Sequence, residues 1–235
     1  DVKVALKLLA EWNGEMNEHL PEPLIFYSWM RKLQERLIQD ELGVLAQEFG
    51  NFDPIFLERV FRNIDGASVW CDIVQSISKE DCDTIAELAL YDAISELRAQ
   101  YKIDMTSLRW GDAHIAMHDH LTLGHIPLLN LLINLRQSVS GGDYTLQRGL
   151  SSGNEYNPFK NVHGAVYRGV YDFSDPDSSL YIISTGQSGH LFSRHYDDLG
   201  QLWRRGEYIA MSLDPELAKA ASNGTTKIIP ALNLQ

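Results

Sequence analysis

The stretch AVYRGVYDFSDPDSSLYIIS, residues 165–184, decides the reading of the fold. Two β-favouring runs, Ala165 to Phe173 and Leu180 to Ser184, flank Ser174-Asp175-Pro176-Asp177-Ser178. Asp and Ser side chains bond their own backbone, and Pro presets φ, so that cluster is a turn. The spacing predicts an antiparallel hairpin. Working outward, Gly, Ser, Asn and aromatic residues stay frequent as far back as residue 104. Asp143 to Leu146 reads as another strand, Pro127 to about Asn134 as a short helix, and Glu207 to Met211 as a terminal strand. Pro215 to Ala221 reads as a turn of helix.

Before Tyr101 the period is helical. Val2, Leu6, Leu9 and Trp12 lie near helical spacing. Pro21 and Pro23 interrupt, and Ile25, Trp29, Leu33 and Leu37 follow at i+4 steps, with Gly43 near the end of that helix. Asp53-Pro54 is an N-cap followed by Pro at the first helical position, which predicts a helix from Ile55 to about Ile64. Ser78 is placed to cap the next helix, whose apolar face is Ile85, Leu88, Ala89, Ile94, Leu97 and Tyr101. Helices first and strands afterwards argue for an α+β fold and against a regular βαβ repeat. The chain divides into a helical region, 1–103, and a strand-rich region, 104–235.

Composition narrows the function. The 235 residues carry 32 acids against 20 bases, a formal charge of −12. An acidic surface repels phosphate, which argues against nucleic acid and anionic membranes as partners. No apolar run reaches the about 18–20 residues that span a bilayer. The longest, Ile126 to Leu135, holds Pro127, Asn130 and Asn134. The chain opens Asp1-Val2-Lys3, without an initiator Met or a basic-then-apolar leader, which suggests a processed or trimmed polypeptide. The two cysteines, Cys71 and Cys82, are either buried thiols or a disulfide closing a short loop before a helix.

Three groups of residues have the types that do chemistry. His114, His118, His120 and His125 are frequent enough to bind zinc, with Asp112 and Asp119 as carboxylate ligands. One element cannot serve both the i+4 and i+2 spacings, so hydrogen-bonded histidines beside Trp110 are the simpler expectation. Ser188, His195, Asp197 and Asp198 occur in the order of a serine triad. Gly-x-Ser-x-Gly fails because His190 replaces the last Gly, so a strand end turning at Gly186 and Gly189 fits better. Asp172, between Tyr171 and Phe173, is a carboxylate that burial would perturb. The tryptophans Trp12 and Trp29 lie on apolar helix faces and read as core. None of these makes a self-contained active site.

The motif Asp172-Phe173-Ser174-Asp175-Pro176-Asp177, followed by Ser184-Thr185-Gly186-Gln187-Ser188-Gly189-His190 and Ser193-Arg194-His195-Tyr196-Asp197-Asp198, resembles the C-terminal signature of the penicillin amidase family. Trp110-Gly111 with His114 and His120 is similar to that family's Trp-Gly-x-x-His stretch. Gly141-Gly142-Asp143-Tyr144-Thr145 is similar to its glycine-tyrosine strand. Trp70-Cys71-Asp72 and the helix holding Cys82 fit as well. The clear resemblance runs from about Trp70 to Asp214.

These are N-terminal-nucleophile hydrolases, so the resemblance implies that the antiparallel strands complete an αββα sandwich. It implies a precursor that cuts itself to expose a serine, which attacks an amide of a penicillin, an acyl-homoserine lactone or a related N-acyl compound. Asp1 cannot act as that hydroxyl. The nucleophile, the oxyanion asparagine and any calcium ligands would lie upstream, leaving this chain without a cofactor of its own. The expectation is the C-terminal part of a β-subunit, inactive alone, partnered by the α-subunit and the rest of the β-subunit. Its unpaired strand edges would also admit a second copy. Relatives acting on cephalosporin side chains carry a supporting Glu on the strand matching 165–173. Asp172 falls near that place and is the one candidate for catalytic support. The family's export implies the periplasm, with which a Cys71–Cys82 disulfide would agree. The alternatives are a non-catalytic binding or assembly module of the same architecture, and a metal-dependent hydrolase built on the histidines.

Overall fold

The computed structural model describes residues 1–222 and 224–230, so the last five positions of the strand-rich region lie outside the described residues. Compactness divides the chain into two units, Asp1–Ala165 and Val166 onward. The change of character near residue 104 falls inside the first.

The first unit begins with α1 (Val2–Glu11) and α2 (Glu22–Leu42). Pro23 sits in the first turn of α2, where its missing N–H costs nothing. At the other end Gly43 takes φ 54°, a left-handed value that ends the helix. Helix α3 (Pro54–Phe61) starts where the sequence says it should: Asp53 Oδ1 accepts from Ile55 N at 2.8 Å and Phe56 N at 3.3 Å. It ends at Phe61, three residues earlier than expected, because Asn63 and Asp65 adopt positive φ. Helix α4 (Cys82–Tyr101) is capped by Asp81, whose carboxylate accepts from Thr84 N at 2.8 Å, and not by Ser78. The Ser78 backbone carbonyl accepts instead from the Ser76 hydroxyl.

Helices α2 and α4 pack through Leu24, Ile25, Leu33 and Leu37 against Ile85, Ala89, Ile94 and Leu97. Leu88 is exposed, and Leu90 and Ala93 are buried in its place. Trp29 Nε1 donates to Ala86 O at 2.8 Å, and Lys32 Nζ reaches Glu96 at 2.7 Å, locking the pair in register.

Cys71 and Cys82 form a disulfide, with Cα atoms 5.0 Å apart and 11 residues of sequence separation. It ties the first residue of α4 to the helical turn Ile64–Cys71. Closing a loop of that length restricts the unfolded chain by about 3 kcal/mol. Reduction and alkylation should therefore lower the urea midpoint by an amount equivalent to about 2–3 kcal/mol. An unchanged midpoint would contradict the bond's role.

After α5 (Trp110–Ala113) come β1 (Ile115–His118), α6 (Asn130–Ile133), β2 (Leu135–Ser138), β3 (Gly149–Ser151) and β4 (Asn161–Gly164). They form one sheet in the order β2-β1-β4-β3. The pairs β1/β2 and β3/β4 are antiparallel, but β1 and β4 run parallel, so this sheet is mixed and not purely antiparallel. Asp143 to Leu146 is a turn and not a strand. Thr145 Oγ1 accepts from Gly142 N at 3.0 Å and donates to Gln147 O at 3.0 Å, which curls the segment.

The second unit holds β5 (Tyr167–Val170), β6 (Ser179–Ile183) and β7 (Ile209–Met211) in an antiparallel sheet of that order. The hairpin forms as expected, with Tyr167 opposite Ile183 and Val170 opposite Leu180. Helix α7 (Gly200–Arg205) buries Trp203, and the Arg168 guanidinium lies 5.1 Å from that ring's centre. Helix α8 (Pro215–Ala221) is capped by Asp214.

Candidate functional site

Two of the family-like stretches meet in the first unit. Trp110 N donates to Leu20 O and Gly111 N to Glu18 O, each at 2.9 Å, while Gly141 N donates to Met16 O at 2.7 Å. The connection between α1 and α2 is thereby sewn to both. Trp110 is fully buried, and its indole N–H donates to Gly141 O at 2.7 Å.

His114 stacks on Trp110, with ring centres 4.5 Å apart and planes 14° apart. Its Nδ1 lies 2.7 Å from Phe159 O. A carbonyl only accepts, so Nδ1 carries the proton and Nε2 keeps its lone pair. Nε2 is buried without a hydrogen-bond partner. Burial pushes the imidazole pKa down from 6.5 to about 4, against weaker upward effects of the Phe159 carbonyl and of Asp143. Gly149 is required beside it: a Cβ there would lie 2.4 Å from His114 Nε2 and 2.4 Å from Asn161 Nδ2.

Asp143 completes this buried polar centre. Its carboxylate accepts from Ser151 N at 2.9 Å and Ser151 Oγ at 2.8 Å, and its own N–H donates to Tyr27 Oη at 3.1 Å. Burial, aided by Asp143, raises the Tyr27 phenol above its usual range. Every group here is satisfied or sealed from solvent, so the arrangement holds strands and helices together and offers no nucleophile to a solute. Nothing in the spacing of Asp143, Gly149 and Ser151 along the chain marks them as partners. The Gly-Gly-Asp run was the available signal, since it marks a turn.

The remaining histidines disperse. His118 closes β1, and burial lowers its pKa, with Arg136 acting in the same direction. His120 Nδ1 accepts from Leu123 N at 3.1 Å, and His125 is exposed. Asp119 pairs with Arg136. Among the described residues no group of three or more His, Cys, Asp or Glu is placed to hold a metal ion. The zinc reading thus lacks a donor set among those residues.

In the second unit the glycine-rich stretch folds against the His-Tyr-Asp-Asp stretch. Gly186 N donates to Tyr196 O at 3.0 Å, Ser188 N to His195 O at 2.9 Å and Leu199 N to Thr185 O at 3.2 Å. His195 Nδ1 lies 2.7 Å from Asp198 Oδ2, and His195 Nε2 accepts from Arg194 Nε at 3.0 Å. Ser188 Oγ accepts from His190 N at 3.1 Å. Both imidazole nitrogens are engaged, and Ser188 meets His195 through backbone only. The trio is a tied-down loop and not a catalytic triad.

Gly186 is needed for closeness: a Cβ would lie 2.0 Å from His195 O and 2.6 Å from Asp198 Oδ1. Gly186→Ala should cost about 2 kcal/mol or more, because backbone must move. Thermal unfolding of the variant checks this, and an unshifted midpoint would refute it.

Asp172 lies beyond the end of β5, in the turn before β6. Its Oδ1 accepts from Ser174 Oγ at 2.6 Å, Ser174 N at 2.9 Å and Asp175 N at 3.2 Å. The Ser174 bonds, foremost, hold its carboxyl below the usual carboxylate range. A carboxylate kept ionised in this way pins the hairpin turn.

The penicillin amidase family model matches residues 1–220, and the chain belongs to that family. Among its relatives, the penicillin acylase 2 proenzyme of a Pseudomonas species is 24% identical over 230 residues, covering 95% of this chain and 28% of that protein. The acyl-homoserine lactone acylase QuiP of Pseudomonas syringae pv. tomato is also 24% identical, covering 92% of this chain and 27% of that protein. The chain thus spans little more than a quarter of the length of these relatives. A thermostable penicillin G acylase from Alcaligenes faecalis, solved in an orthorhombic crystal form, shares the fold with a TM-score of 0.54 at 15% identity. That match covers 99% of this chain and 43% of the acylase chain.

Proposed function

We propose that the chain is the C-terminal part of an acylase β-subunit, and that it frames an active site whose nucleophile is carried elsewhere in the same enzyme. The observation that carries this reading is the family match over residues 1–220 by a chain that covers 28% of an acylase relative. The polar constellations agree with it, because His114, Asp143, His195 and Asp172 are all committed to internal hydrogen bonds. In the assembled enzyme a terminal serine hydroxyl attacks the amide carbonyl of an N-acyl compound of penicillin or acyl-homoserine-lactone type. The serine's own α-amino group takes the hydroxyl proton and passes it to the departing amine, and water then hydrolyses the acyl ester left on the serine, restoring its hydroxyl. The sheets of this chain join an αββα sandwich that holds that serine rigid.

Among the described residues no helix is long and apolar enough to cross a membrane. The Cys71–Cys82 disulfide suits an oxidising compartment, and the periplasm is the proposed location.

Assay of a chromogenic acyl-anilide tests the reading. The chain alone should release no anilide, and the enzyme assembled with the remainder of its polypeptide should release it. Turnover by the chain alone would remove the framing role. Assembly without turnover would favour a non-catalytic module.

A further inference from the structure

The segment between β1 and β2 is built to present aliphatic side chains. From His120 to Leu135 it contains no Asp, Glu, Lys or Arg, in a chain of which 22% is charged. Its flanks are closed by the ion pair between Asp119 and Arg136. Inside, the Asn134 side chain accepts from His120 N and donates to Gly124 O, each at 3.0 Å. His120 Nδ1 accepts from Leu123 N at 3.1 Å, and Gly124 N donates to His120 O at 2.8 Å. These side-chain ties fix the backbone of an otherwise irregular loop.

On this frame Leu121, Leu128, Leu131 and Leu132 are 90%, 78%, 78% and 69% exposed, with Ile126 beside them. Leu128 has φ +70°, a left-handed conformation that costs a leucine about 1–2 kcal/mol. Strain held by surrounding bonds, supporting leucines that face water, marks a surface made for contact.

We propose that this leucine loop is a docking face for the remainder of the acylase polypeptide. The inference rests on the proposed function and adds the surface through which assembly occurs. The 28% coverage of the Pseudomonas relative leaves nearly three-quarters of that protein unmatched, so ample chain exists to cover the loop. The absence of charge from 120 to 135 fits a dry protein contact, and the formal charge of −12 disfavours anionic lipid or a second copy as occupant.

Hydroxyl-radical footprinting tests it. Oxidation of Leu121, Leu128, Leu131 and Leu132 is compared in the dilute chain, the concentrated chain, the chain with phosphatidylcholine vesicles, and the assembled enzyme. The expected result is a roughly fivefold or greater drop in the assembled enzyme only. Protection in the concentrated chain would substitute a second copy, and protection by vesicles a lipid surface; either overturns the proposal. Acyl-anilide turnover is read in parallel. Turnover without protection overturns the docking face alone. Protection without turnover overturns the acylase reading and leaves the docking face standing. A Leu131→Arg, Leu132→Arg double variant should leave the circular dichroism of the chain unchanged and lower its affinity for the remainder at least about tenfold. Unchanged affinity would overturn the proposal.

Discussion

Trp110→Ala is expected to destabilise the Asp1–Ala165 unit by about 4 kcal/mol or more. Trp110 is completely buried, and large-to-small changes of that kind cost about 3–5 kcal/mol through lost transfer energy and an unfilled cavity. The neighbours are themselves rings: Tyr27 at 5.0 Å, Phe159 at 5.9 Å and the stacked His114 at 4.5 Å. Tyr27 and His114 cannot collapse into the gap without leaving their own hydrogen bonds. The change also strips Gly141 O of its indole donor, and an unsatisfied buried acceptor adds about 1–3 kcal/mol. Trp110→Phe separates the two contributions, since it keeps most of the apolar contact and loses only the N–H. It should cost about 1–2 kcal/mol. Urea unfolding followed by far-ultraviolet circular dichroism reads both variants, and a loss below about 1 kcal/mol for the alanine variant would contradict the packing argument.

The second large effect is acid sensitivity. His114 has its pKa lowered from 6.5 to about 4 by burial. Above pH 6.5 both the folded and unfolded chains carry it neutral, and its burial is fully tolerated. As pH falls from 6.5 towards 4, the unfolded chain binds a proton that the folded chain excludes, so stability falls. Below about 4 the loss levels off. The lowered pKa corresponds to about 3 kcal/mol in total. His118, also lowered, acts in the same sense. Carboxylates held low in the folded state, such as Asp172, remove stability only further into acid. His114→Gln should flatten the fall between pH 6.5 and 4 while lowering stability at neutral pH. A parent protein equally stable at pH 7 and pH 4.5 would refute the assignment.

Much of the helical half was legible in the sequence because its signals are local. The i+4 steps from Ile25 to Leu37, the Asp53-Pro54 cap and Gly43 each act within one or two turns. The hairpin around Ser174–Ser178 was legible for the same reason. The mixed sheet was not. Its strands are three or four residues long, too short to show alternation, and β1 finds β4 across more than forty residues of chain. Asp81 displaced Ser78 as a cap because its carboxylate stands next to the helix start and accepts from Thr84 N. The site residues followed the same rule. The sequence placed His114 beside Trp110, but only the fold brought Asp143 to Ser151 and His195 to Asp198. Leu88 misled because helical spacing alone cannot tell a core face from a face left open.

The parallel pairing of Ala116 with Asn161 also has a temporal side. A ribosome emits the α2–α4 hairpin whole long before Asn161 appears. The helices can thus compact while β1 still waits for its neighbour. Closure of that sheet is a late event governed by the entropy of a long loop, and slow steps of this sort leave hydrophobic edges open the longest. During synthesis, therefore, the interval between residues 115 and 164 is when this polypeptide has most need of a chaperone.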